Sequence, residues 1–143
     1  MTITVAPFLW FDDNLDQAVA LYGRVFSDFK LIYHNPGLNA EFEIGGTHFM
    51  GNNFGPHYKF NEAVSFFVTC KDQAEVDYYW DALTADGGEP GRCGWLKDPF
   101  GISWQIIPAA LGQALSNPDR EAAAYAHKAM MGMSKIIVAD LTA

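Results

Sequence analysis

The same order of strand, helix cap, helix and strands occurs twice along the chain, at an offset of roughly 57 residues. The tripeptide Asp-Gln-Ala opens the predicted helix in both copies, at Asp16 and again at Asp72. A repeat of this size constrains the fold more than any single motif, because each copy must form the same supersecondary unit. The repeated order is one strand, one helix and three strands, written βαβββ.

The first copy covers about residues 1–60. Residues 2–11 are rich in β-forming side chains and lead to Asp12-Asp13-Asn14, a cluster that is typical of a helix N-cap. Apolar residues at helical spacing then predict a helix over residues 15–26. Three short strands, separated by the turns Pro36-Gly37 and Gly45-Gly46, are predicted over residues 30–34, 39–44 and 47–52.

The second copy covers about residues 61–108, and a tail of residues 109–143 follows it. A strand over residues 63–70 leads through Asp72 to a helix over residues 73–85, which ends before Gly87-Gly88. Short strands are predicted near residues 91–97 and 102–107. The tail is predicted to form a helix from about residue 119 to 131, and then a final strand over residues 135–141.

These elements predict an α+β fold, with a single domain over residues 1–143. Half of the residues are hydrophobic, which is enough for a sizeable core. Two βαβββ modules side by side would form a curved mixed sheet, with helices on its outer face and a cup on its inner face. The C-terminal helix and strand would be added to this arrangement.

The charge and the cysteines exclude several classes of function. The net charge of −8 argues against nucleic acid and against an anionic membrane surface as partners, because both require a basic face. No apolar run approaches the length of a membrane span, and the N-terminal residues lack the basic region of a signal peptide. Cys70 and Cys93 form no CxxC pair, which leaves a zinc or redox motif without support. We therefore expect a cytoplasmic protein.

Four stretches of the sequence carry a resemblance to a known family: PFLWFDDNLDQAVALYGRVF, EFEIGGTHFMGNN, CGWLKDPFGISWQIIP and KAMMGMSKIIVADL. Together with the βαβββ duplication, they resemble the PhnB-like branch of the vicinal oxygen chelate superfamily. That superfamily includes glyoxalase, bleomycin-resistance and extradiol dioxygenase proteins. The branch is often labelled 3-demethylubiquinone-9 3-methyltransferase. The resemblance covers nearly the whole chain and implies the fold of the superfamily.

The resemblance also implies where metal ligands would lie. Metal enzymes of the superfamily place one ligand on each of four inner strands, and those places fall at Ala6, at Ala63, at Phe49 or His48, and at Gln105. A divalent cation requires three or four charged or imidazole ligands, which two alanines and a neutral amide do not supply. We therefore expect no metal and no other cofactor. Gln105 occupies the place where the metal enzymes have a carboxylate.

Strand alternation predicts which side chains line the inner face. The result is an aromatic surface with a few polar groups, which is typical of a small-molecule pocket. The candidate ligand-binding residues are Phe8, Trp10, His48, Met50, Ser65, Phe67 and Gln105. Ser103 and Ile107 are predicted to share a face with Gln105, and Trp104 is predicted on the opposite face.

Two functions stay open at this point. The protein could capture a planar or apolar small molecule between aromatic side chains, as resistance proteins of the superfamily do. It could instead be an enzyme for a small oxygenated substrate, with His48 and Gln105 as polarising groups, alone or together with a recruited metal. The methyltransferase label lacks support, because neither Gly45-Gly46 nor Gly87-Gly88 forms the strand-to-helix turn of a nucleotide site. No catalytic residue is identified.

The tail favours a homodimer. The apolar strand predicted over residues 135–141 would be an exposed edge unless something covers it. The proteins that this chain resembles often pair two chains. We therefore expect the strand to pair across an interface, or beside residues 2–5 of its own or the partner chain.

Overall fold

In the computed structural model, which describes residues 2–143, the chain divides into two units, Met1–Phe60 and Asn61–Ala143. Each unit has the predicted βαβββ order and builds one four-stranded mixed sheet. The α+β class and the duplication are therefore confirmed. We call the two units module one and module two.

Module one consists of β1 (Phe8–Phe11), α1 (Leu15–Val25), β2 (Lys30–Asn35), β3 (Asn39–Ile44) and β4 (Thr47–Asn53). Its strands lie in the order β1-β4-β3-β2, with β1 parallel to β4 and the other neighbours antiparallel. The first strand is shorter than the β-rich stretch from residue 2 predicts, because pairing with β4 begins only at Phe8.

Helix α1 covers one face of the sheet in module one. Burial alternates along β3, where Ala40, Phe42 and Ile44 are buried while the residues between them are half-exposed. The buried side chains face α1, whose Tyr22 ring centroid lies 6.0 Å from that of Phe42. The predicted alternation therefore holds, and it leaves the opposite face of the sheet free of α1.

The N-cap of α1 differs from the prediction. Asn14 precedes the helix, but its side chain makes no capping hydrogen bond. The N–H of Leu15 instead donates to Oδ1 of Asn53, at the end of β4, over 3.0 Å. Asn53 also donates to the carbonyl of Gly37 (3.1 Å), so one amide joins the start of α1, the end of β4 and the β2–β3 turn. Sequence reasoning considered only local caps and missed this long-range one.

Module two repeats the arrangement with β5 (Ser65–Cys70), α2 (Gln73–Thr84), β6 (Glu89–Pro90), β7 (Trp95–Lys97) and β8 (Ser103–Pro108). The strand order is β5-β8-β7-β6, and β5 is parallel to β8. Asp72 caps α2 as predicted, because its Oδ1 accepts from the N–H of Glu75 over 3.0 Å. Strand β6 was not predicted, since two residues are too few to show an alternating pattern.

The carboxylate of Asp98, in the sequence Asp-Pro-Phe-Gly, organises the hairpin between β7 and β8. The residue is only 2% exposed. Its Oδ1 accepts from the N–H groups of Phe100 (2.9 Å) and Ile102 (3.1 Å), and its Oδ2 accepts from the indole N–H of Trp104 (2.9 Å). Gly101 closes the turn with φ of +88°, a conformation that glycine adopts without strain. One buried group therefore holds both the turn and the buried face of β8.

The prediction of a final strand over residues 135–141 is wrong. After β8 the chain forms α3 (Ala109–Leu115), which was not predicted, then α4 (Arg120–Met131) and a short 3-10 helix (Val138–Leu141). Helix α4 lies where the sequence predicts a helix, and Asp119 caps it. No helix within residues 2–143 combines the length and the hydropathy that crossing a membrane requires.

Gln73, the first residue of α2, explains why the tail is not a strand. Its Nε2 donates to the carbonyl of Ile136 (2.9 Å), and its Oε1 accepts from the N–H of Val138 (2.7 Å). These are backbone groups that a strand ladder would use, so a side chain replaces strand pairing. Ile136 is fully buried in a cluster with Ile107 and Leu111. The edge-strand argument for a homodimer therefore fails, and the homodimer stays a prediction.

We expect Asp98→Asn to lower the free energy of unfolding by at least about 2 kcal/mol, because an amide N–H₂ would replace an acceptor of a buried hydrogen bond. Asp81→Asn, at an exposed position of α2, is the control and should change the free energy by less than about 0.5 kcal/mol. Urea unfolding monitored by circular dichroism measures both. Equal effects of the two variants would contradict the role assigned to Asp98.

Candidate functional site

The face of each sheet opposite its βαβββ helix, here called the open face, carries the predicted site residues. In module one, β1 pairs with β4 so that Phe8 lies beside Met50, and β3 pairs with β4 so that Glu41 lies beside Met50 as well. Alternation then places Trp10 and His48 on this same face. The structure thus brings together the four candidates of module one.

An aromatic cluster occupies one end of the open face of module one. The indole of Trp10 lies 4.6 Å from the ring of Phe54 and 4.9 Å from that of Tyr58, and Phe8 stacks on Phe54 at 6.0 Å. Trp10 is held in place because its Nε1 donates to the carbonyl of Gly55 over 2.9 Å. Phe8 is 50% exposed, so part of the cluster faces solvent.

The strand register decides between His48 and Phe49 at the fourth-strand place. Phe49 is buried and stacks on Phe42 at 5.5 Å, on the face that α1 covers. His48 is therefore the residue on the open face. Its Nε2 lies 3.1 Å from Oε2 of Glu41, and the pair is half-exposed. A carboxylate only accepts hydrogen bonds, so this contact favours a proton on Nε2 and leaves Nδ1 as an acceptor when the ring is neutral.

On the open face of module two, strand pairing aligns a polar row of four side chains. They are the cross-strand neighbours Glu89, Lys97, Ser103 and Ser65, on β6, β7, β8 and β5 in turn. Cross-strand neighbours on one face have Cβ atoms about 5 Å apart, so each of these side chains can contact the next. We call this set the polar row.

A second row lies beside the polar row and consists of Trp95, Gln105 and Phe67 on β7, β8 and β5. Phe67 is 58% exposed, and Trp95 and Gln105 are half-buried. The amide of Gln105 donates from Nε2 to Oγ of Ser65 over 2.9 Å. The glutamine therefore serves as a hydrogen-bond donor within the open face. The three candidates of module two, Ser65, Phe67 and Gln105, are brought together here.

A cavity of about 440 Å³ opens on the same face of module two. Its size falls within the range of roughly 300–1,000 Å³ that is usual for small-molecule sites. The lining residues with polar or aromatic side chains are Glu62, Glu89, Arg92, Trp95, Lys97 and Ser103. None of these six is among the residues predicted from the sequence to bind a ligand. The sequence pattern indicated only that Ser103 shares a face with Gln105. The neighbours of Ser103 on β7 and β6 depend on strand register, which that pattern does not reveal.

An ion pair lies at the rim of this cavity. Lys97 Nζ contacts Oε1 of Glu62, with the two side chains 39% and 60% exposed. The hydrogen bond from Lys97 lowers the pKa of the Glu62 carboxyl, and the same bond raises the pKa of the Lys97 ammonium, with Glu89 adding to the second effect. Both groups are therefore charged near neutral pH. Because the pair is exposed, it contributes little to stability.

Ser103 differs from the other polar groups of the cavity. It is 1% exposed, and its Oγ has no hydrogen-bond partner among residues 2–143. Most buried hydroxyls are hydrogen-bonded, since burial without a partner costs free energy. Ser103 thus has an unused donor and acceptor buried beside the cavity.

The residues at the four superfamily places do not fit a metal ion. Ala6 and Ala63 offer no donor atom and lie just before β1 and β5. His48 is the only imidazole among these places, and Gln105 offers a neutral amide oxygen in place of a carboxylate. Across residues 2–143, no three His, Cys, Asp or Glu side chains lie close enough together to hold a metal.

Cys70 is not suited to nucleophilic chemistry. It is buried and unpaired, and burial, with smaller effects from the carboxylates of Glu75 and Asp72, raises the pKa of its thiol to about 11. Such a thiol remains protonated near neutral pH, whereas the thiolate is the reactive form. Cys70 therefore acts as a small apolar core residue.

We expect Ser103→Ala to raise the free energy of unfolding by about 1 kcal/mol, because it removes a buried hydroxyl that has no partner. Ser65→Ala is the matched control in the same polar row. It should lower the free energy by about 1 kcal/mol, because the amide of Gln105 loses its acceptor. Urea unfolding measures both variants. A loss of stability in Ser103→Ala as large as that in Ser65→Ala would contradict this assignment.

Comparison with known proteins agrees with the fold. A family profile described as 3-demethylubiquinone-9 3-methyltransferase matches residues 3–107. No curated protein matches the chain. Among solved structures, a PhnB protein from Bacillus cereus is 25% identical with a TM-score of 0.65, over 75% of this chain and 100% of that chain.

Two more distant structures share the fold alone. A glyoxalase-related enzyme from Fulvimarina pelagi is 17% identical with a TM-score of 0.58, over 77% of this chain and 91% of that one. The fosfomycin resistance protein FosX from Listeria monocytogenes is 16% identical with a TM-score of 0.54, over 73% and 89%. The profile covers residues 3–107, and the chain therefore belongs to the 3-demethylubiquinone-9 3-methyltransferase family.

Proposed function

We propose that the protein binds a small planar or apolar molecule on its open faces, without a metal. The observation that carries this proposal is the cavity of about 440 Å³ in module two, which is lined by Trp95 and by Ser103, whose buried hydroxyl has no partner within residues 2–143. Apolar walls with a few placed polar groups are the usual composition of a small-molecule site.

The aromatic side chains of the open faces support the proposal. Phe8 and Phe67 lie on strands, yet each is at least half-exposed. Exposed apolar groups that are clustered, as around Trp10, mark interaction sites more often than scattered ones do. Each open face carries flat rings of its own, which suit a planar ligand because stacking contributes beyond area burial.

The absence of metal is proposed from the chemistry of the residues. The superfamily places carry Ala6, Ala63, His48 and Gln105, which together supply one imidazole and one neutral amide. Tight binding of a divalent cation needs more charged or imidazole ligands than this.

The alternative function is an enzyme that acts on a small oxygenated substrate. The pair His48–Glu41 favours it, because a carboxylate that fixes the imidazole tautomer is a common arrangement for a general base. The methyl transfer named by the family label has weaker support. Gly45-Gly46 joins β3 to β4 and Gly87-Gly88 follows α2, so neither forms the glycine-rich turn of a nucleotide site.

We also propose that the protein is a cytoplasmic homodimer. The support for pairing is now strand β2, which lies at the edge of its sheet and exposes Leu31, Ile32 and Tyr33 by about half. An apolar edge strand tends to pair with another chain unless it is covered. The two unpaired cysteines agree with a reducing compartment.

Three tryptophan variants test the binding function with Nile red, a neutral planar probe. We expect saturable fluorescence enhancement in the wild type, and weaker binding in Trp95→Ala and Trp10→Ala than in Trp104→Ala. Trp104 is buried and bonded to Asp98, so Trp104→Ala should instead cost about 3–5 kcal/mol of stability. Wild-type protein that gives no saturable signal would contradict the proposed function. An unchanged melting temperature in Trp104→Ala would contradict the assignment of faces.

Elemental analysis tests the proposed absence of metal. Protein purified without chelator should carry well under one equivalent of zinc, nickel, manganese or iron, because the ligand set is too small. A stoichiometric metal, removed by EDTA with a fall in melting temperature, would show that the site is a metal centre.

A further inference from the structure

We infer that the cavity of module two takes a small carboxylate, whose flat apolar body packs on Trp95 and whose carboxylate binds the hydroxyl of Ser103 and the ammonium of Lys97. This inference rests on the proposed function and names the class of ligand. It follows from the types, pairing and burial of the side chains around the cavity.

Ser103 and Lys97 are neighbouring residues that each carry a hydrogen-bond donor. They are Cα partners across the antiparallel β7–β8 pair, and both lie on the open face. Their Cβ atoms are therefore about 5 Å apart. An ammonium only donates hydrogen bonds, and a serine hydroxyl can donate one. A carboxylate, which only accepts and has two oxygens, matches this pair of donors.

Ser103 supplies the strongest indication that something binds here. The residue lines the cavity, and its hydroxyl is buried and forms no hydrogen bond within residues 2–143. A ligand oxygen could bond to this hydroxyl after a small shift of the neighbouring side chains, because the Oγ atom itself exposes almost no surface. The neighbouring Ser65 lacks this property, because its Oγ already accepts from Gln105.

In the free protein, the carboxylate of Glu62 occupies the position at Lys97 that the ligand's carboxylate would take. Its Oε1 contacts Nζ of Lys97 at the rim, and its side chain is largely exposed. The residue lies before β5, outside any helix or strand. Exposed ion pairs contribute little free energy, so an incoming carboxylate can displace Glu62 at small cost. The ion pair also shows that Lys97 accommodates a carboxylate in this orientation.

The remaining charges favour a single negative charge on the ligand. Glu89 is the cross-strand neighbour of Lys97 on its other side, and Glu62 remains nearby after displacement. Two carboxylates near the site repel a dianion more than a monoanion. Arg92 also lines the cavity, but its Nη2 donates to the carbonyl of Met131 over 3.0 Å. Lys97 is therefore the cationic residue that we assign to the ligand, because it is the direct cross-strand partner of Ser103.

Benzoate and its neutral isostere benzamide test the inference in NMR titrations that follow the indole N–H signal of Trp95. We expect benzoate to bind at least about fivefold more tightly than benzamide, since a charge-assisted contact is worth about 1 kcal/mol or more. Lys97→Gln should remove this preference, and Ser103→Ala should weaken benzoate binding by about fivefold. Lys71→Gln, which breaks the exposed pair with Glu75 on α2, is the matched control and should leave the preference intact.

Glu62→Gln gives the sharpest prediction, because a loss of charge on the protein should increase affinity. The variant frees Lys97 of its competitor, so benzoate should bind about threefold or more tightly while benzamide binding stays the same. Glu75→Gln, which frees Lys71 in the same way, should change neither affinity. The exposed position of Glu62 ensures that the variant folds, which its melting temperature verifies.

The outcomes separate the inference from the proposed function. If benzamide binds as tightly as benzoate, the cavity binds small molecules and the carboxylate inference is overturned. If neither compound shifts the Trp95 signal, binding at this cavity and the inference fall together. Weaker benzoate binding in Glu62→Gln would overturn the displacement of Glu62. The preference for benzoate over benzamide should not depend on Arg92. If Arg92→Gln removes this preference and Lys97→Gln does not, the assignment of the carboxylate to Lys97 is overturned.

Discussion

The buried carboxylate of Asp98 is the interaction on which the geometry of module two depends. Its two oxygens accept hydrogen bonds from three N–H groups. Two are the backbone N–H groups of Phe100 and Ile102, and the third is the indole N–H of Trp104. A buried charge is tolerated only when it is fully hydrogen-bonded, so the turn, the indole and the carboxylate stabilise one another. This fixes the register of β7 against β8. A slip by one residue would exchange the two faces of β8 and would separate Ser103 from Lys97.

With this register, hydrogen-bond partners are distributed unevenly among the polar groups on the open face of module two. Ser65 and Ser103 are direct neighbours on parallel strands, yet the amide of Gln105 satisfies only Ser65. The hydroxyl of Ser103 is left in the cavity wall at a cost in stability. Proteins commonly retain such local costs where a ligand binds, because the same group that weakens the free protein strengthens the complex. The uneven distribution is the reason why the proposed ligand is assigned to Ser103 and Lys97 and not to Gln105.

The sequence predicted what depends on local pattern. Helical spacing located α1 and α2, and the predicted cap at Asp72 is present. Alternation also predicted that Gln105 and Trp104 lie on opposite faces of one strand, and that either His48 or Phe49 lies on the inner face of another. The sequence could not predict contacts between distant segments. The tail is held by Gln73, more than 60 residues earlier in the chain, and no apolar pattern reveals a side chain that replaces a strand ladder. The cavity was missed for the same reason, since Lys97 and Ser103 become neighbours only through strand register.

The charge states around Ser103 also bear on whether module two catalyses a reaction. A serine becomes a nucleophile when a neighbouring base can take its proton. Lys97, the cross-strand neighbour of Ser103, has a pKa raised by its hydrogen bond to Glu62, so the amine is protonated and cannot act as a base. The same bond lowers the pKa of the Glu62 carboxyl, which makes that carboxylate a weak base. These groups can hold an anion in place but are poorly suited to exchanging protons near neutral pH. On this face the physical chemistry favours binding over turnover, and the acid–base chemistry of an enzyme would have to come from the pair His48–Glu41 in module one.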